Sequence, residues 1–196
     1  MNKAVFYDRD GIIVKMLYNP ELGTIDTVSQ PSQISFIPGI YDLLKHTSSL
    51  GYKNIIISNQ PAVGREKISE KGFEEVRNEM LKKLKEQDAI IDDDYYCFHH
   101  SHASILKYKK ICDCRKPKPG LILEAAKKHK IDLSKSWMIG DSVNDVRAGH
   151  SAGCKTILIA DLYESEYLRV LEENLEGVKP DFLIKKLKEA IKIINI

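Results

Sequence analysis

No apolar run in this sequence approaches the roughly 20 residues needed to span a bilayer, which leaves no candidate membrane helix. Charge of one sign is missing too. The 30 Lys and Arg stand against 28 Asp and Glu, a formal net charge of +2, so no global field marks a nucleic-acid or membrane binder. Cysteine is scarce, with four in 196 residues, too few for a disulfide scaffold in a chain of this size. The opening MNKAVFYD has no apolar segment of signal-peptide form. The expectation is a cytoplasmic protein forming one domain over residues 1–196, with a core of ordinary size.

What is present is a recurring grammar. Lys3 to Tyr7 is a short apolar run that stops at the polar DRDG, as a buried parallel strand does at the edge of its sheet. Asn54 to Ile57 stops at SNQ, Trp137 to Ile139 at GDS, and Thr156 to Ala160 at Asp161. Helical periods lie between these runs, over Gly39 to Leu50, Ser69 to Asp88, Pro119 to Lys130 and Ser142 to Ala152. A helical stretch around Glu164 to Glu173 and a final helix near Leu183 to Ile194 close the chain, with an edge strand at Asp181 to Ile184 competing for the start of the latter. Alternating strand and helix predicts a three-layer, Rossmann-like α/β fold, a mostly parallel sheet with helices on both faces. Ligands bind such sheets at the carboxyl ends of the strands, which here carry Asp8, Ser58 and Asp141. Ile12 to Pro38, rich in turn formers, reads as an excursion over the sheet.

Asp8 and Asp10 lie two apart at a strand end and can face one ligand. Asp141, at the end of another strand, could complete an oxygen cage for Mg2+. With such a metal bound, a carboxylate can attack phosphorus and form an aspartyl-phosphate. Any one of these residues alone would read as a helix cap or turn former.

The second cluster is sulfur-rich. Cys97 and His99 are separated by one residue, as are Cys112 and Cys114, so each pair projects to one side of an extended chain. Three thiolates and an imidazole make a closed tetrahedral Zn2+ site of the structural kind, in a loop spanning about residues 97–114. His100 and His102 compete with His99 for the fourth position and rank below it. Cys154 reads as a small core residue.

The strings DRDG, SNQ and GDSVND, in this order after apolar runs, resemble the haloacid dehalogenase (HAD) superfamily over nearly the whole chain. The resemblance implies that Asp8 is the nucleophile and Asp10 the general acid and base. It also implies that Ser58 and Lys116 hold the transferring phosphoryl group. Mg2+ would then lie between Asp8, the carbonyl of Asp10 and Asp141, with Asp145 supporting that shell. YYCFHH followed by CDCRKPKPG resembles more narrowly the histidinol-phosphate and D,D-heptose 1,7-bisphosphate phosphatase subfamily, where a zinc loop forms part of the substrate pocket. That implies substrate contacts from Asn59, Gln60, Arg65 and Arg115.

The implied activity is Mg2+-dependent hydrolysis of a small phosphorylated sugar or polyol by a monomer, with no nucleic-acid or membrane partner. Heptose 1,7-bisphosphate leads and histidinol phosphate is second. PAVGR after Gln60, where the heptose enzymes have SGIAR, and a longer segment from Gly11 to Pro38 are departures that bear on substrate choice. Two other classes are a receiver-like phosphoacceptor, against which Asp10 argues, and a zinc-knuckle nucleic-acid binder, against which the near-neutral charge argues.

Overall fold

The computed structural model describes residues 1–21, 23–160 and 173–194. Six strands form one parallel sheet in the order β5-β4-β1-β6-β7-β8. They are β1 (Lys3–Tyr7), β4 (Tyr52–Asn59), β5 (Asp93–Cys97), β6 (Trp137–Gly140), β7 (Lys155–Ile159) and β8 (Phe182–Ile184). A separate antiparallel hairpin, β2 (Leu17–Asn19) with β3 (Thr24–Asp26), rises from the expected excursion, Tyr18 facing Ile25 in register.

The central strands are apolar on both faces, and successive residues feed opposite cores. Val5, Tyr7, Ile56 and Ile139 pack with α1 (Ile40–Ser49), α3 (Glu70–Lys85) and α6 (Ala190–Ile194). Ala4, Phe6, Ile55, Ile57 and Met138 pack instead with α4 (Gly120–His129) and α5 (Val143–Ala152). A single helical turn, α2 (Pro61–Gly64), follows β4 directly. Phe6 is fully buried, and its truncation to Ala would cost about 3–5 kcal/mol.

The four expected strands and four expected helices are all present within a few residues of their predicted limits. Two strands go beyond the four runs. Edge strand β5 has the polar sequence DDYYC, which carries no apolar signal. At the other edge, β8 takes the start of the expected final helix, which begins only at Ala190 after a 3-10 turn at Leu187–Glu189. Asp181 explains that outcome. Its Oδ2 accepts from the backbone N–H of Thr156 at 2.7 Å and from Thr156 Oγ1 at 2.9 Å, pinning the segment beside β7. The expected stretch from Glu164 lies, up to residue 172, outside the described residues. Among those described, no helix is long and apolar enough to cross a membrane.

Candidate active site and metal centre

The carboxyl ends of β1, β4 and β6 converge on one lysine. Lys116 is almost fully buried, and its Nζ lies 3.0 Å from Asp8 Oδ1 and 2.5 Å from Asp145 Oδ1 while donating to the carbonyl of Ile57 at 2.9 Å. Burial alone would lower its pKa, but the carboxylates of Asp145 and Asp8 outweigh that and raise it above the ordinary lysine value. Asn59 fixes the lysine's backbone at two points. The side-chain oxygen of Asn59 accepts from Lys116 N–H, and its amide donates to the Lys116 carbonyl, both at 3.0 Å.

Asp8, Asp141 and Asp145 bring carboxylate oxygens within 4.8 Å of one another. Burial, more than any neighbour, pushes Asp8 up to about 6; Lys116 opposes this, while Asp145 and Asp10 add to it. Asp141 is pushed up to about 7 by burial first and then by Asp8 and Asp145. Such crowding marks a place where a cation would replace protons. Two glycines permit it. At Gly11, in the left-handed region at φ +80°, a Cβ would lie 1.8 Å from Asp141 Oδ2, and at Gly140 a Cβ would lie 2.1 Å from that of Asp145. Asp145 is also tied to its own helix, since Ser142 N–H and Oγ donate to its Oδ2 at 3.1 and 2.7 Å. It therefore stands behind the pair Asp8 and Asp141. These residues fit Mg2+, a hard cation that favours a few carboxylates and leaves positions for water and phosphate.

Asp10 is held by three side chains. Arg9 Nη2 donates to both its oxygens at 3.0 and 3.2 Å, Thr27 Oγ1 donates to Oδ1 at 3.0 Å, and Gln60 Nε2 donates to Oδ2 at 2.6 Å. Gln60 also donates to Ser58 Oγ at 3.0 Å. Asn59 and Gln60, expected to touch substrate, are thus engaged with Lys116, Asp10 and Ser58. Both still line the cleft that opens beside Asp10, together with Arg65 and Lys67. Nothing in the sequence pattern marks Arg9 or Thr27 as side-chain partners of Asp10. Arg9 stands between two aspartates at a strand end, where an arginine reads as solvated, and Thr27 is 17 residues from Asp10.

The sulfur cluster assembles as spaced. Cys114 Sγ lies 3.1 Å from Cys112 Sγ, 3.2 Å from Cys97 Sγ and 3.2 Å from His99 Nδ1, and Cys97 Sγ lies 3.6 Å from Cys112 Sγ. Four ligands about 2.3 Å from a zinc define tetrahedral edges of this order. All four cysteines of the chain are free. Burial raises the Cys97 and Cys114 thiols and lowers His99. A thiolate cluster in such surroundings needs a cation, and the donor set suits Zn2+. His100 turns to Arg65, whose Nη2 lies 2.8 Å from its Nε2. Arg115 donates to the carbonyl of His99 at 3.3 Å. It lines, with His100, Cys112 and Lys116, a second cleft beside the first. Burial, aided by the charge of Arg65, lowers the Arg115 pKa.

A HAD-hydrolase-like family model matches residues 113–190. The chain is 40% identical over 155 residues to a D-glycero-beta-D-manno-heptose-1,7-bisphosphate 7-phosphatase of Haemophilus influenzae, covering 79% of each chain. It is 43% identical over 159 residues to the protein of that name in Helicobacter pylori J99, covering 81% of this chain and 83% of the relative. Among solved structures, a D,D-heptose 1,7-bisphosphate phosphatase of B. bronchiseptica in complex with magnesium and phosphate superposes with a TM-score of 0.76 at 21% identity, covering 98% of each chain. A HAD-like phosphatase of Mesorhizobium loti gives 0.79 at 23% identity, covering 99% of this chain and 84% of that one. These likenesses share the fold seen here, and at the identity and coverage of its sequence relatives the chain belongs to the HAD-type phosphatase family that includes the heptose-bisphosphate phosphatases.

Proposed function

We propose that the protein hydrolyses D-glycero-D-manno-heptose 1,7-bisphosphate at its 7-phosphate through an aspartyl-phosphate on Asp8. The observation that carries this reading is the pairing of buried Lys116 with Asp8 and Asp145, with Asp141 grouped beside those carboxylates, in a chain over 40% identical to phosphatases named for that substrate. Lys116 and Ser58 orient the phosphoryl group, and an Asp8 oxygen forms the new bond to phosphorus as the bond to the sugar oxygen breaks. Asp10 gives its proton to that oxygen. It then takes a proton from the water that attacks phosphorus and frees Asp8. Mg2+ held by Asp8 and Asp141 supplies charge neutralisation for this attack. Zn2+ on Cys97, His99, Cys112 and Cys114 closes the loop that carries Arg115 and Lys116.

Arg65 and Arg115, which line the two clefts, would hold the second anionic group of the substrate, away from the reacting phosphorus. Such a remote grip helps only if it orients the substrate, so it belongs in kcat/KM and not merely in KM. A phosphate-release screen over sugar bisphosphates, sugar monophosphates, histidinol phosphate and nucleotides should rank the heptose bisphosphate first. Arg115→Ala should lower kcat/KM roughly 10–100-fold for a bisphosphate and only about 2-fold for an aryl phosphate. Equal losses on both would remove Arg115 from substrate selection, and a screen led by nucleotides would reject the sugar assignment.

A further inference from the structure

Resting on the reading of Asp10 as the group that moves the proton, we propose that Arg9, assisted by Thr27 at the base of the hairpin, is the positioning residue that aims Asp10 at the leaving oxygen. Asp8 and Asp10 project toward the ligand side of the strand end, whereas Arg9 between them is buried to 1% exposure. Its guanidinium turns back to reach both Asp10 oxygens through Nη2, with Nε 3.3 Å from Oδ1. The same Nη2 contacts Thr27 Oγ1, which passes the contact on by donating to Asp10 Oδ1. Among the described residues Asp10 is the carboxylate in ion-pairing range of Arg9.

A purely structural role accounts poorly for this arrangement. The guanidinium lies over the Phe73 ring at 5.6 Å, in surroundings an apolar side chain of similar length would fill, and its Nη1 is buried with no hydrogen-bond partner. Buried ion pairs of this kind commonly contribute less stability than apolar replacements. What the pair does fix is angle. A carboxylate accepts at about four lone-pair sites, and in the ionised state Arg9, Thr27 and Gln60 hold Asp10 from both oxygens, so it cannot rotate about its terminal bond. The Thr27 hydroxyl can turn from donor to acceptor when Asp10 carries its proton. Gln60 alone, holding only Oδ2, would leave that rotation open. Thr27 follows directly on β3, so the hairpin over the cleft and the aim of Asp10 are one unit.

Positioning of a proton donor can be told from support of the fold by leaving-group dependence. An alkoxide leaving from a sugar phosphate needs the proton from Asp10, whereas 2,4-dinitrophenolate leaves without it. Single-turnover cleavage of glucose 6-phosphate and the burst of dinitrophenolate from 2,4-dinitrophenyl phosphate should be compared in Arg9→Met, Thr27→Val and Asp10→Asn. Asp10→Asn sets the scale, with sugar-phosphate cleavage down about 100-fold or more and the burst within roughly 3-fold of wild type. Arg9→Met should show the same split at lesser depth, and Thr27→Val a split of about 5–10-fold. Arg9→Lys should restore part of what Arg9→Met loses, because the cation returns without its fork.

If Asp10→Asn splits the two substrates while Arg9→Met slows both equally, Arg9 supports the fold and the proposal fails. Should Arg9→Met not fold, an unsplit Thr27→Val would overturn it on its own. If Asp10→Asn itself shows no split, the reading of Asp10 falls first.

Discussion

Two ligand clusters in this chain solve opposite problems with the same number of anchoring segments. The carboxylate cluster draws Asp8 from the end of β1, Asp141 from the end of β6 and Asp145 from the first turn of the helix that follows, on a sheet that would exist without any metal. The thiol cluster draws Cys97 from the end of β5 and its other three ligands from a stretch whose large apolar residues include the exposed Leu106 and Ile111. The first is rigid scaffold with surplus negative charge, open on one side. The second is a closed set in a loop with little core of its own. A metal would therefore complete chemistry in one and architecture in the other.

The deepest break in this comparison comes from Asp8→Asn. An amide keeps the shape but cannot attack phosphorus, and turnover at saturating Mg2+ should fall by at least about 10^4-fold. The melting temperature should stay within about 3 °C, because a crowded carboxylate is lost rather than a support. Retained phosphatase activity would take Asp8 out of the nucleophile role.

Cys114→Ser attacks the other cluster and should reverse the pattern. Elemental analysis should show about one zinc per chain in the parent and far less in the variant. The melting temperature should drop by about 5–10 °C, on the scale of a lost staple. EDTA applied briefly to the parent should stop turnover, and Mg2+ alone should restore it with zinc still bound. A folded, active protein without zinc would refute the architectural role.

Gly11→Ala sharpens the contrast within the carboxylate site. Its Cβ would collide with Asp141 in a conformation unfavourable for alanine, so the Mg2+ concentration giving half-maximal activity should rise roughly 10-fold. Zinc content should not change. An unaltered Mg2+ requirement would show that Asp141 relaxes freely.

The smallest effect is on stability against pH. In metal-free protein Asp8 stands near 6 and Asp141 near 7, both above the unfolded carboxylate value of about 4. Raised carboxylates bind protons more tightly folded than unfolded, so their contribution is full below about pH 4 and is lost as pH rises through about 6–7. Between pH 5 and 7.5 the melting temperature of Mg2+-free protein should fall by about 2–5 °C, set against the trend of the other groups measured in Asp141→Asn. Saturating Mg2+ should flatten that slope. A slope unchanged by Asp141→Asn would place its origin elsewhere.

Much of this was legible in the sequence for reasons particular residues make plain. Val5, Phe6 and Tyr7 form an uninterrupted apolar run that is buried on both faces, so the strand ended visibly at Asp8. The spacing of Cys97, His99, Cys112 and Cys114 announced a shared ligand set. Edge strand β5 was hidden because Asp93 and Asp94 satisfy themselves outside the core, Asp94 with Arg77 at 2.5 and 2.6 Å and Asp93 with Lys128 and His129 at 2.7 and 2.6 Å. The role of Arg9 was hidden for a related reason. A buried cation is recognisable only through its partners, and Thr27 meets it only in three dimensions. Asn59 shows the same limit, since no periodicity says that a side chain will grip the backbone of Lys116, 57 residues on.

That grip has an evolutionary consequence. The stretch from His100 to Ile111 is bounded by Cys97 and His99 on one side and Cys112 and Cys114 on the other, and Lys116 beyond it is separately fastened by Asn59. Lengthening such a closed loop costs little, each doubling adding only about 0.6 kcal/mol. Changes of length between residues 100 and 111, which line the second cleft through His100, Lys110 and Ile111, would therefore leave the fastening of Lys116 by Asn59 untouched. The fold keeps a replaceable visor on a fixed hinge, and new specificities can be sampled there at small cost to the chemistry beneath.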